Sequence, residues 1–291
     1  MRAARHLCGA AAALLAAWGA ALPVLAQPVE VATGPDLPAE EALMLRRALQ
    51  KAQLFLKSEI GGGDDPDYAG LRVLGSHDPD WLTARLAEER LARTDATRLA
   101  TDACTGGVAR ISGRAGPGWI LLCWPGHEMG LPRVALRVED RLAPMAVHEL
   151  THAVQQAHAG ARAGVARDLP IWFIEGVAED LEQRFDTRSP RTARRSLSQA
   201  ARQLEHLGSS LTEMSGGALT AEDYDVAALA LRVLVARHGG DPMEVWRLIG
   251  QGQDAMAAFE AVFDADPQDF ARLFEAARRD PDALLALADG A

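Results

Sequence analysis

His148, Glu149 and His152 stand together in the stretch His148-Glu149-Leu150-Thr151-His152. Two histidines four residues apart lie on one face of a helix, about one turn from each other. Their ring nitrogens can then converge on a single ion. Zinc suits such ligands: it takes imidazole and carboxylate donors and, in catalytic sites, leaves a fourth position to water. Glu149 sits about 100° further round the helix, beside such an ion and not on it. A carboxylate there can take a proton from an activated water and pass it to a leaving amine. The competing reading is a surface helix with two satisfied histidines. Residues 143–158 weigh against it, with apolar positions at helical spacing and no glycine.

A third ligand has two candidates. His158 lies six residues after His152, but Gln155 stands midway where a glycine would be needed to end the helix and turn the chain back. On an unbroken helix His158 points away from the other two. Glu175 is the better candidate. It lies in Leu169-Pro170-Ile171-Trp172-Phe173-Ile174-Glu175-Gly176-Val177-Ala178-Glu179, which reads as a second helix. Gly176 and Ala178 are small enough to let that helix approach the first. Glu179 follows one turn later on the same face and can accept a hydrogen bond from the far nitrogen of a ligating histidine.

Elements must hold these residues in place. A helix is expected from about Pro38 to Lys57, capped by Asp36, with 27–36 as a flexible lead-in. A glycine-rich break at 61–66 follows. Leu71–Leu74 reads as a strand and Asp78–Ala92 as a helix. Val108–Ser112 and Trp119–Trp124 read as a hairpin joined by 113–118. Arg133–Val138 alternates like a strand just before the histidine helix. From Leu169 onward only helices are expected: one opened by Asp168 and Pro170, then 197–207, 221–238, 242–250, 254–263 and 267–279. Residues 184–195 hold an arginine cluster that reads as a solvated loop. His77 and His127 read as structural or solvated, and 126–130 as a possible cleft rim. The fold class is α+β: a small mixed or antiparallel sheet packed on the histidine helix, then a mostly helical C-terminal part. The division is 27–160 for the sheet and histidine helix and 161–291 for the helical part.

The pairing of His-Glu-x-x-His with a downstream Trp-x-x-Glu-Gly-x-Ala resembles the gluzincin superfamily, most closely its peptidase-MA-like branch. The two motifs span 148–179, and a weaker likeness reaches Tyr224 and 231–240. The resemblance implies a zincin-like fold, Zn2+ on His148, His152 and Glu175, and Glu149 as general base. It implies that the strand before the active helix, here about Arg133–Val138, binds an extended substrate along its edge. It also points to Tyr224 as an oxyanion donor. The implied activity is hydrolysis of a peptide or protein substrate. A non-catalytic envelope or binding protein that keeps the fold is the rival reading.

Bulk properties frame this. Arg2 and Arg5, an apolar run from Ala10 to Leu25 and Val24-Leu25-Ala26 have the layout of a secretory signal over 1–26. The run is short for a stable span and is interrupted by Pro23. The expected location is therefore exported, periplasmic or extracellular, with no membrane span after cleavage. A net charge of −10 argues against nucleic acid and anionic membranes as partners. Beyond Cys8 there remain Cys104 and Cys123, an even pair that suggests a disulfide in an oxidising compartment.

Overall fold

Alternating burial builds the sheet. Strand β4 (Trp119–Cys123) is buried along its whole length. Ile120 and Leu122 face one core, while Trp119, Leu121 and Cys123 face another. Strand β2 (Arg72–Ser76) divides in the same way, with Val73 in the first core and Leu74 in the second. Strands covered on both faces read as continuous apolar runs, as β4 (Trp-Ile-Leu-Leu-Cys) does. Strand β1 (Glu30–Thr33) pairs parallel with β2, and β2 pairs parallel with β4. Strand β3 (Ser112–Gly116) pairs antiparallel with β4, so the order is β1-β2-β4-β3. Helices α1 (Ala39–Ile60) and α4 (Pro132–Ala159) belong to the first core. Helices α2 (Pro79–Glu88) and α3 (Arg93–Cys104) belong to the second. The class is α+β.

The structure is a computed structural model and describes residues 29–60, 68, 70–89, 91–104, 112–116, 118–123, 132–186, 197–204, 208–214 and 219–290. The expected leader at 1–26, the break at 61–66, strand residues 108–111, Trp124, the rim at 126–130 with His127, and loop residues 187–196 lie outside these. The rest of the chain is helical: α5 (Ile171–Asp186), α6 (Leu197–Leu204), α7 (Ala221–His238), α8 (Pro242–Gly250), α9 (Ala255–Phe263), α10 (Pro267–Ala277) and α11 (Pro281–Ala288). Asp241, Asp254, Asp266 and Asp280 each accept a backbone N–H two residues on, and Pro242, Pro267 and Pro281 stand in the first turns. A short polar cap followed by proline is a strong local start signal. The first core continues through these helices from Val29 to Ala288. Among the described residues, no helix is long and apolar enough to cross a membrane.

Several expectations are corrected. Residues 133–138 are not a strand; they form the first turns of α4. Val134, Val138, Leu142 and Ala146 recur every four residues, and this helical period outweighs the local alternation. The helix also continues through Pro144. Part of the flexible lead-in is strand β1. Asp36 does not cap α1; its carboxylate accepts Ser76 Oγ at 2.7 Å and the His77 backbone N–H at 2.8 Å, tying the end of β2 to the chain after β1. The hairpin exists, and the described part of its first strand, Ser112–Gly116, runs through most of the segment expected as its loop, with Gly118 (φ 77°) in the turn. Asp168 ends a 3-10 turn (Val165–Asp168), and α5 opens instead with the Pro170 carbonyl accepting from Phe173 and Ile174. Arg184 is not in a loop; it lies on α5 and pairs with Glu59 and Asp180. His77 pairs with Glu41 at 2.9 Å. The disulfide is present: Cys104, at the end of α3, is bonded to Cys123, at the end of β4.

Candidate metal centre

Three helices bring the site together. His148, Glu149 and His152 lie on α4, Glu175 on α5 and Tyr224 on α7. Helix α5 is anchored by its aromatic pair. Phe173 stacks on Trp246 of α8, with centroids 5.2 Å apart and planes 7° apart, and meets Phe259 of α9 edge-on at 4.9 Å. Trp172 packs against Phe270 at 5.5 Å. Such pairs add roughly 0.5–1.5 kcal/mol each beyond the burial of their area. Phe173 precedes Glu175 by two residues, about 200° of helix. Burying Phe173 against α8 and α9 therefore aims Glu175 the opposite way, towards α4. Gly176 serves a different neighbour from the one its size suggested. A Cβ there would lie 2.6 Å from the Ala227 carbonyl oxygen, so its smallness admits α7 rather than α4.

The ring nitrogens converge as their spacing requires. His148 Nε2 lies 3.3 Å and His152 Nε2 3.2 Å from the same atom, Glu175 Oε2. These three residues form a group that could hold a metal ion, their donor atoms lying within 4.8 Å of one another. His158, at the far end of the unbroken α4, is not in that group.

The other ring nitrogens are held from behind. Gln155 Nε2 donates to the Ile174 carbonyl at 3.1 Å, which turns Gln155 Oε1 to His152 Nδ1 at 2.9 Å. The acceptor at Nδ1 fixes a proton there, so Nε2 is the nitrogen left to serve an ion beside Glu175. His148 Nδ1 faces two carboxylates, Glu182 Oε2 at 3.1 Å and Glu179 Oε2 at 3.6 Å. His148, Glu179 and Glu182 form a second group of possible donors. Because His148 Nδ1 is already directed at these acids, hydrogen bonding there leaves Nε2 for the first group.

Glu182 and the role of Gln155 were missed in the sequence. Glu175, Glu179 and Glu182 stand at i, i+4 and i+7, one face of one helix, and that period was the available signal. In the sequence Gln155 stands out only as a non-glycine between His152 and His158.

Electrostatically the centre is rich in acid. Burial works against a charged His148, but hydrogen bonds to Glu175, Glu179 and Glu182 outweigh it and hold the imidazole well above its ordinary pKa. Burial likewise opposes a charged His152, and Glu175 raises it. Burial alone would raise Glu175, yet the two imidazoles hold it far below the usual carboxylate range. Glu182 is pushed up by burial and by the charge of Glu179. Two imidazoles thus compensate a pocket of carboxylates, the work that a divalent cation does in sites of this composition.

Beside the three donors opens a cleft of about 210 Å³. Glu149, itself buried, lines it, as do Gln156, Arg167, Tyr224 and Trp246. The Tyr224 ring meets His148 edge-on at 5.6 Å. The chain matches no protein-family model, no curated protein and no solved structure.

Proposed function

We propose that the protein is a zinc-dependent peptidase of gluzincin type, exported from the cell, with Zn2+ held by His148, His152 and Glu175. The observation that carries this reading is the spacing of the donors. A tetrahedral ion with bonds of about 2.0–2.1 Å spaces its ligands roughly 3.3–3.4 Å apart. The two Nε2 atoms lie 3.3 and 3.2 Å from Glu175 Oε2. Charge-assisted N–H···O hydrogen bonds are shorter, about 2.7–2.9 Å, so a shared ion accounts for the spacing better than two ion pairs.

Bound zinc supplies Lewis acidity, making water a stronger acid and polarising a carbonyl. The chain's own residues do the rest. Glu149 faces the cleft from the turn between the two histidines and receives the proton of the attacking water, then returns it to the departing amine. Tyr224, whose ring meets His148 edge-on, donates to the developing oxyanion in this reading. Since 133–138 is helical, the strand expected to align an extended peptide is reassigned to β3. It is one of the two outer strands of the sheet, antiparallel to β4, and α4 packs against it.

The experiment is a zinc assay paired with digestion of a diverse peptide library, on wild type and Glu149→Gln. About one zinc per chain in both proteins, with hydrolysis in the wild type alone, is the expected result. A Glu149→Gln protein as active as wild type removes Glu149 as the base. A zinc-loaded wild type inert towards every peptide favours the non-catalytic binding protein.

A further inference from the structure

Arg167 stands apart from everything else in the cleft. Among the described residues that line it, Arg167 is the one arginine or lysine, while Glu149 and Glu175 supply carboxylates. Its side chain makes no ion pair or hydrogen bond among the described residues. Several arginines elsewhere in the helical part, Arg184, Arg232, Arg247, Arg272 and Arg278, do pair with acids. Arg167 is exposed, yet its backbone is firmly placed. It lies in the 3-10 turn Val165–Asp168 between two buried residues, Ala166 and Leu169, and the Leu169 N–H closes that turn on the Ala166 carbonyl. Nearby, Arg162 donates to the Gln253 carbonyl at 3.1 Å, fastening the preceding turn to the loop before α9.

A guanidinium held on a hydrogen-bonded turn, with no acid partner among the described residues, offers a planar fork of donors matched to a carboxylate. In a chain of net charge −10, an anionic group approaching a cleft that already holds Glu149 and Glu175 is repelled unless a fixed cation receives it. We propose that Arg167 is a specificity residue that binds a carboxylate of the substrate, so that the cleft selects peptides bearing an acidic group. The carboxylate is either the C-terminus or an Asp or Glu side chain. This rests on the peptidase reading above and narrows its substrate class.

The test uses zinc-loaded protein and peptides synthesised as twins: free C-terminus against amide, and Glu against Gln at each position. The wild type is expected to prefer one carboxylate twin, and the preferred pair identifies which carboxylate is read. In Arg167→Gln, the kcat/KM ratio between that peptide and its neutral twin should fall roughly 10- to 100-fold, the scale of one charge-assisted hydrogen-bonded pair, mainly through KM. Arg167→Glu should reverse the preference towards Lys-bearing peptides, while zinc content stays at one per chain. Equal loss on both twins, or no wild-type preference, overturns the role of Arg167 and leaves the peptidase reading standing. Zinc-loaded wild type that cleaves neither twin of any pair overturns the peptidase reading itself.

Discussion

Glu182 Oε2 lies 3.1 Å from His148 Nδ1, closer than Glu179 Oε2 at 3.6 Å. The two acids differ in their other commitments. Glu179 Oε1 accepts from Gln183 Nε2 at 2.9 Å, and that amide is oriented by Arg232, which donates to Gln183 Oε1 at 2.8 Å and to Asp180 at 2.6 Å. Glu179 therefore terminates a polar chain that ties α5 to α7. Among the described residues Glu182 has no such second tie, and at 3.1 Å it is the nearer acceptor for the His148 N–H. The sequence pattern had pointed to Glu179 for this role.

Removing an outer partner of a metal-binding histidine commonly costs 10- to 100-fold in metal affinity or activity. Glu182→Ala is therefore expected to weaken zinc binding by roughly that factor, read by competition with a chromophoric chelator. Glu182→Gln keeps an acceptor oxygen and should recover part of the loss. A larger loss from Glu179→Ala than from Glu182→Ala would return the role to Glu179.

Both histidine Nε2 atoms lie against the same Glu175 carboxylate oxygen. Glu175→Ala should leave purified protein with little or no zinc by elemental analysis, with the fold retained by circular dichroism. Unchanged zinc content would point back to His158, which α4 carries away from the site in this structure.

Gly176 opposes two effects of known size. Alanine at a helix interior is favoured over glycine by about 1 kcal/mol. Here its Cβ would lie 2.6 Å from the Ala227 carbonyl oxygen, a backbone atom that cannot swing aside, and overpacking of this kind costs about 1–3 kcal/mol. The clash should win. Gly176→Ala is expected to lower Tm by a few degrees, and a rise in Tm would show that α5 and α7 can separate without loss.

How legible these features were depended on how locally they are encoded. α7 and α8 could be bounded in the sequence because Thr220 and Asp241 cap their starts and Gly239, at φ 70°, ends α7. β4 was legible because five buried residues in a row admit few other structures. The first turns of α4 were misread because six residues satisfy an alternating pattern as well as a helical one, and only the longer run to Ala146 separates the two. The metal donors were found from spacing within single helices. The Gln155 and Glu182 contacts to the histidines depend on how α4 and α5 sit against each other, which the stacking of Phe173 on Trp246 helps to set. No local pattern states that placement.

The start of α7, next to Tyr224, should respond to pH. Asp223 is buried, accepts the Thr220 N–H at 2.7 Å and Thr220 Oγ1 at 2.9 Å, and receives the Ser209 N–H as well. With Thr220 it forms a reciprocal cap. Burial alone would raise its pKa, but these hydrogen bonds to the ionised form prevail and hold it below the ordinary carboxylate value. A carboxyl whose folded pKa is depressed stabilises the protein fully above its unfolded pKa, about 3.9. That contribution drains away as pH falls through the lower folded value. Asp223→Ala should therefore cost about 0.5–2 kcal/mol near neutrality, the usual range for a lost cap. The Tm gap to wild type should narrow progressively below about pH 4. Thermal melts of both proteins from pH 7 to pH 3 decide it: a gap that stays constant across that range would mean that Asp223 acts through its shape and not through its charge.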